Sequence, residues 1–184
     1  MLEHPVMMKQ LVLLLACATV GWAQSCDPQP GAINLARSEG VSVSQSSVYP
    51  LVPVPNAQTA VDGNKETNYY VHPCAHTNRD LAPWWQLDLK KSTKIWSMVI
   101  VNRGDCCSER LKGAEIRVGD SADNKNPVCA TVSDVSQITM TFCCKGMMGR
   151  YVSVVIPGRS EFLHICEVEV YGEDTKTEEK HVCW

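Results

Sequence analysis

Positive charge is in short supply in this 184-residue chain, where 17 Lys and Arg face 20 Asp and Glu for a formal net charge of -3. Without a basic surface to neutralise phosphates, nucleic acid and anionic membrane are poor partners, and a neutral ligand fits better. No Asn-x-Ser/Thr sequon occurs, so N-glycosylation is not expected. Cys-x-x-Cys is missing as well, which argues against a thioredoxin-like redox role. The one long apolar run, Leu11 to Val20, is too short to span a bilayer. Behind a flank ending in Lys9 it reads as part of a signal peptide over residues 1–23, cleaved after Ala23, so the product is expected to be secreted and extracellular. Internal repeats and low-complexity segments are absent. With 45% hydrophobic residues, the chain has material for one cored domain, expected over residues 24–172, followed by a polar tail over 173–184.

Cysteine is abundant. Removing the signal takes Cys17 and leaves Cys26, Cys74, Cys106, Cys107, Cys129, Cys143, Cys144, Cys166 and Cys183, most of which should be disulfides in an oxidising compartment. The odd number means that at least one is free or joined to another chain.

Strand-like alternation dominates the rest. Val41 to Ser44, Ala114 to Val118 and Val168 to Tyr171 have period two, and Ile95 to Val101 and Tyr151 to Ile156 are denser apolar runs. Turn signals at Asp62-Gly63, Arg103-Gly104 and Pro157-Gly158 punctuate them, as expected for an all-β antiparallel sandwich or barrel. Pro50, Pro53 and Pro55 exclude a central strand there and predict a surface loop, and Val71 to Pro83 reads as a second irregular stretch. Trp84, Trp85 and Trp96 lie in strand-like runs and are expected in the core.

One polar cluster carries specific chemistry. The segment Asn102-Arg-Gly-Asp-Cys-Cys-Ser-Glu-Arg110 follows an apolar strand and is preceded at a distance by His76. Arginine offers several fixed donors that read neighbouring hydroxyls, histidine reads one more, and Asp105 can lock an arginine in one rotamer. The plain alternative is a solvated loop with an incidental cation pair. Arg103-Gly104-Asp105 also spells an integrin-adhesion tripeptide, but the cluster accounts for the same residues. Glycoside hydrolysis usually needs two opposed carboxylates, and the set His76, Arg103, Asp105 and Arg110 offers only Asp105, already committed to an arginine, so an enzyme is not expected.

His76, then twenty-six residues, then Arg103-x-Asp105, four residues and Arg110 resembles the signature of the F-type lectins, or fucolectins. The text around it is similar too: Ala60-Val-Asp-Gly-Asn64, Pro83-Trp-Trp-Gln-Leu-Asp88, Gly149-Arg-Tyr-Val152 and Cys166-Glu-Val-Glu-Val-Tyr171. The resemblance covers roughly Gly31 to Gly172. It implies a discoidin-like, galactose-binding-domain-like jelly roll that recognises terminal L-fucose on glycans, is not an enzyme, assembles as a homo-oligomer, by analogy a trimer, and serves innate defence. His76, Arg103 and Arg110 would contact the sugar, with Asp105 orienting an arginine. Cys106 and Cys107 would form a vicinal disulfide whose flat face meets the sugar ring, although from the residues alone separate partners or a redox pair is the other reading. Tyr70 is a positional candidate for the wall that meets the 6-methyl group.

Asp62-Gly-Asn64 on a tight turn, with Glu167 elsewhere, forms a hard-oxygen set suited to Ca²⁺, the plain alternative being a turn plus a surface carboxylate. The resemblance implies a structural calcium held by the Thr59 carbonyl, Asp62, Asn64, the Cys166 carbonyl and Glu167. The family has a hydroxyl residue before the cysteine of the His loop, whereas this chain has Pro73 before Cys74, which lowers the expected affinity. The family pattern also implies the pairs Cys74–Cys166 and Cys129–Cys144. Cys26 and Cys183 are left to join the chain ends, with Cys143 as the odd thiol or an interchain bridge. The runner-up is a discoidin-like adhesion module for protein or phospholipid, for which the apolar stretch Leu51 to Val54 is the one candidate contact.

Overall fold

The computed structural model describes residues 26–28 and 31–173. The expected signal peptide, Cys183 and all of the tail except Glu173 lie outside them. Eight antiparallel strands make up the domain: β1 (Ser42–Gln45), β2 (Ala75–Leu81), β3 (Trp84–Val101), β4 (Glu115–Gly119), β5 (Val128–Thr131), β6 (Thr139–Val155), β7 (Ser160–Ile165) and β8 (Glu167–Gly172). The order β1-β3-β6-β4-β5, with β8 also on β3, forms one sheet, and β2 and β7 form a separate pair.

The two longest strands make the sandwich possible. The first half of β3 pairs with β1 over Trp85 to Asp88, and its second half pairs with β8 from Ile95 to Val101. Between them the β3–β6 register breaks at Asp88/Thr93 and again at Ile95/Ser97, and such bulges let one continuous strand bend from one layer to the other. Alternate residues of both layers then point inward. Trp85, Leu87, Ile95, Met98, Ile100, Ile116, Val152, Val154 and Val168 fill the shared core. Each such side chain contributes about 1.5–3 kcal/mol on burial.

Four strand readings from the pattern correspond to β1, β4, β8 and the second half of β3, and Tyr151 to Ile156 is the end of β6. Two expectations need correction. Part of the stretch Val71 to Pro83, read as irregular, is β2; its residues Ala75-His-Thr-Asn-Arg-Asp-Leu81 lack alternation because a register shift between His76 and Arg79 resets which side faces in. Trp96 is 44% exposed, turned outward at the Ile95/Ser97 bulge with Lys94 Nζ 5.4 Å from its ring centroid. Trp85 is buried as expected, and its indole N–H donates to the Ala57 carbonyl at 3.0 Å.

Cys74–Cys166, Cys129–Cys144 and the vicinal Cys106–Cys107 pair are all present. Cys143, expected as an odd thiol or an interchain bridge, is neither, because it bonds Cys26. Consecutive residues of a strand face opposite ways, so Cys144 turns inward to Cys129 while Cys143 meets the incoming N-terminal segment on the other side. Cys26 is therefore not available to Cys183.

Candidate functional site: two arginines and a neutral histidine on shared aromatic faces

The site grows from the end of β3. Asn102 is fully buried: its backbone N–H donates to the Ile138 carbonyl (2.8 Å), its Oδ1 accepts the Arg103 N–H (2.8 Å) and its Nδ2 donates to the Ser108 carbonyl (3.0 Å). One side chain thus clips both ends of the loop that carries the arginines. Gly104 then lets that loop meet the 67–70 segment. Its N–H donates to the Thr67 carbonyl at 2.9 Å, and a Cβ there would lie 2.7 Å from Thr67 Oγ1.

Asp105 locks Arg103 by two parallel bonds, Nε to Oδ1 at 3.0 Å and Nη2 to Oδ2 at 2.7 Å. Its Oδ1 also accepts the Tyr69 N–H at 2.9 Å, which ties the two loops together. Chiefly the Arg103 hydrogen bonds hold the Asp105 carboxyl down at about 2, and they raise the guanidinium above its usual range. The Arg103 side chain is only 8% exposed, and that of Asp105 15%, so the Arg-Gly-Asp tripeptide is folded onto itself and is not presented to a receptor. The Arg103 guanidinium carbon lies 4.4 Å from the Tyr69 ring centroid and 5.9 Å from that of Tyr70.

After the Cys106–Cys107 disulfide, Cys107 adopts a left-handed conformation (φ 62°, ψ 22°) that turns the chain into the short 3₁₀ segment Ser108–Leu111. That segment carries Arg110. Its guanidinium carbon sits 5.0 Å from the Phe162 ring centroid, and its Nε lies 3.7 Å from a Glu161 oxygen, both on β7.

His76 stands on β2 directly opposite His164 on β7. Its ring is packed among those of Tyr49, Tyr69, His164 and Phe162, at centroid distances of 4.6, 5.5, 5.4 and 5.6 Å. Tyr69 is shared with Arg103 and Phe162 with Arg110, so the three polar side chains converge around common aromatic faces. Nδ1 lies 2.8 Å from the Thr77 carbonyl, which can only accept, so the proton resides on Nδ1 and Nε2 is a bare acceptor. Burial, reinforced by the positive charges of Arg103 and Arg110, lowers the affinity of this ring for a second proton. Tyr70, at 84% exposure, stands on the rim.

Asn102, Tyr49, Tyr69, Phe162 and His164 were not singled out from the sequence. His164 matches no motif position, and only the β2–β7 register brings it behind His76. Neither of its ring nitrogens has a partner among the described residues, and burial pushes its pKa down to about 3. Both histidines are therefore neutral when folded, whereas the unfolded chain takes up protons from about 6.5 downward. Stability is full above that pH and falls as pH drops toward the folded value of His164, by about 1.4 kcal/mol per unit from that residue, with His76 acting in the same direction. Urea denaturation at pH 7, 5.5 and 4.5 should show this slope, and His164→Leu should make it clearly shallower; an unaltered slope in that variant refutes the assignment.

A second oxygen-rich corner lies behind the site. Asn64 N–H donates to Asp62 Oδ1 and Glu66 N–H to Asn64 Oδ1, a pair of side-chain-stabilised turns around Gly63 at φ +88°. The Gly63 N–H donates to Glu167 Oε2 at 3.3 Å. Glu167 is not the surface carboxylate of the plain alternative but is 1% exposed, with Oε1 lacking any partner among the described residues. Burial, with Asp62 adding negative charge, raises its pKa to about 7. Thr59 lies in the 3₁₀ turn Ala57–Ala60, and Cys166 joins β7 to β8 beside Glu167. Among the described residues no three His, Cys, Asp or Glu side chains cluster to hold a metal ion, and the further oxygens available at this corner are those of Asn64 and of backbone carbonyls. A buried carboxylate with an orphan oxygen beside a second carboxylate fits a hard cation.

An antiparallel sandwich whose polar cluster gathers where the connection between β3 and β4 meets β2 and β7 is a domain of the galactose-binding-like class. A family profile described as NedA-like, galactose-binding domain matches residues 59–154. The fucolectin of Anguilla anguilla is 45% identical over 119 residues, 62% of this chain and 75% of that protein. The pentraxin fusion protein of Xenopus laevis is 43% identical over 121 residues, 64% of this chain. The crystal structure of a fucolectin from Morone saxatilis (striped bass) serum superposes with a TM-score of 0.71 at 42% identity, covering 77% of this chain. The chain spans only 29% of the pentraxin fusion protein and 48% of the striped bass chain. It belongs to the fucolectin, or F-type lectin, family.

Proposed function

We propose that this chain is a secreted lectin that reversibly binds terminal L-fucose on glycans and breaks no bond. The observation that carries this is the convergence of His76, Arg103 and Arg110 on shared aromatic faces, with Arg103 already held in place by Asp105. Preset donors lose little freedom when a sugar arrives, and each charge-assisted hydrogen bond contributes about 1.5–3 kcal/mol. The guanidinium groups supply donors to adjacent hydroxyls, while the bare His76 Nε2 accepts from one more. The Cys106–Cys107 pair offers a flat apolar face, and Tyr70 on the rim offers a wall for the methyl group. An epimer with one hydroxyl turned away leaves donors unpaired, which is the source of discrimination. A glycan array tests the reading: fucose-terminated glycans should be retained and galactose-terminated ones should not. Equal retention of both, or of neither, sinks it.

The buried Glu167 carboxylate, whose Oε1 has no partner among the described residues, supports a structural calcium held by Asp62, Asn64, Glu167 and the carbonyls of Thr59 and Cys166. Bound there, the ion would neutralise the carboxylates and brace the Cys74–Cys166 end of β2, which carries His76. Chelator should lower the thermal midpoint by several degrees in a scanning calorimeter, and added calcium should restore it; identical curves would remove the metal from the account. A single small site binds weakly, so useful avidity would come from a homo-oligomer, by analogy a trimer, engaged in recognising microbial surfaces.

A second reading is favoured by one observation. Leu51, Val52 and Val54 are exposed, Val52 at 90%, on the loop whose end packs Tyr49 against His76. Such a tip could enter a lipid surface as a discoidin-like adhesion module. Sedimentation with neutral and anionic vesicles separates the two readings, because a pure lectin stays in the supernatant.

A further inference from the structure

Arg110 faces more than the fucose site. Beside it opens a groove of about 630 Å³ lined by Arg79, Glu109, Lys112, Arg159, Glu161 and Phe162 together with Arg110 itself. Arg110 and Phe162 therefore form a wall common to the groove and to the three-residue cluster around His76. The volume is ample for sugar residues beyond one deoxyhexose.

The charge of the groove runs against that of the chain. Four cationic side chains meet two carboxylates there, in a protein of net charge -3. One of the carboxylates is already engaged, since Glu161 accepts the Phe162 N–H at 2.9 Å and lies 3.7 Å from Arg110. Elsewhere Arg103, Arg117 and Arg150 are each matched to a neighbouring Asp or Glu. Arg79, Lys112 and Arg159 have no such partner among the described residues. Arg159 is nonetheless fixed, with Nη2 donating to the carbonyls of Arg110 (2.8 Å) and Lys112 (2.7 Å). Three unmatched cations around a concave surface, one of them held by backbone, form a receptor for an anion.

We propose that this groove is a subsite for an acidic group, sulfate or carboxylate, on a sugar linked to the bound fucose, so that the ligand class is an anionic fucosylated glycan. The inference rests on the fucose reading of the neighbouring cluster. Fucose anchors the chain end through His76, Arg103 and Arg110. The next residues then run over Phe162 into the groove, where Arg79, Lys112 and Arg159 surround the anion. An exposed ion pair contributes little, so the gain is modest and sensitive to salt.

Calorimetric titration of the full chain with L-fucose, a neutral fucosylated trisaccharide, its galactose-sulfated form and its sialylated form tests this, each at about 50 and 300 mM salt. The sulfated or the sialylated ligand should bind about three- to tenfold more tightly than the neutral one at low salt, and the advantage should shrink at high salt. A gain with only one of the two identifies sulfate or carboxylate as the group read. Arg79→Gln/Lys112→Gln should abolish the advantage while leaving L-fucose affinity unchanged, and Lys112→Glu should turn it into a penalty. Equal or weaker binding of both acidic ligands alongside normal L-fucose binding overturns the subsite and leaves the lectin reading standing. An advantage that survives in the double variant also overturns it. Failure to bind L-fucose at all removes both.

Discussion

Arg110→Ala should reduce L-fucose binding by more than a hundredfold, leaving none detectable by calorimetry or on a fucose column, while circular dichroism and the thermal midpoint stay close to those of the parent. Two charge-assisted hydrogen bonds at about 1.5–3 kcal/mol each account for that loss. The fold is spared because the Arg110 side chain is 28% exposed and its carboxylate contact, at 3.7 Å, is loose. Arg110→Lys keeps the charge but loses the planar fork, so it should be intermediate. Arg103→Ala should abolish binding equally but at a structural cost, since it leaves Asp105 with the Tyr69 N–H and without its guanidinium. Its midpoint should therefore fall below that of Arg110→Ala. A column that still retains Arg110→Ala would show that the sugar binds elsewhere.

Replacing Cys74 and Cys166 together with alanine should lower the thermal midpoint by about 10–20 °C. The bond spans 92 residues, and a loop of that length restricts the unfolded chain by on the order of 4–5 kcal/mol. Both cysteines are buried with Tyr69 and Val101 in a small apolar cluster beneath the arginine loop. The same variant should therefore weaken fucose binding by letting His76, two residues from Cys74, drift from Arg103. Cys106→Ala/Cys107→Ala closes no such loop and should leave the midpoint nearly unchanged while still impairing sugar binding. A shift of under about 3 °C for the Cys74/Cys166 variant would contradict the account.

The legible parts of the site were those written within one stretch of chain. Arg103, Asp105, Cys106, Cys107 and Arg110 occupy a single loop, and their spacing alone places a carboxylate where it can hold a guanidinium. The strands β4 and β8 were legible because one face of each is buried, which enforces alternation. The strand carrying His76 was not, since β2 is short, polar and shifted in register. Trp96 was misplaced because a bulge, invisible in composition, reverses its direction. Cys143 was left without a partner because Cys26 reaches it only through the folded course of the N-terminal segment.

Order of residues alone therefore determined the all-β class and the arginine loop, because periodicity and local spacing carry those properties, while the family and three of the disulfide pairs were legible only through the resemblance of distributed motifs. Tertiary structure alone decided that His164 backs His76, that Tyr69 and Phe162 bridge the histidine to the two arginines, that Glu167 is buried with one oxygen unpaired among the described residues, and that unmatched cations gather beside Arg110. Each of these depends on which strands pair and in what register, and register is set by the packing of the whole core rather than by any neighbouring residues.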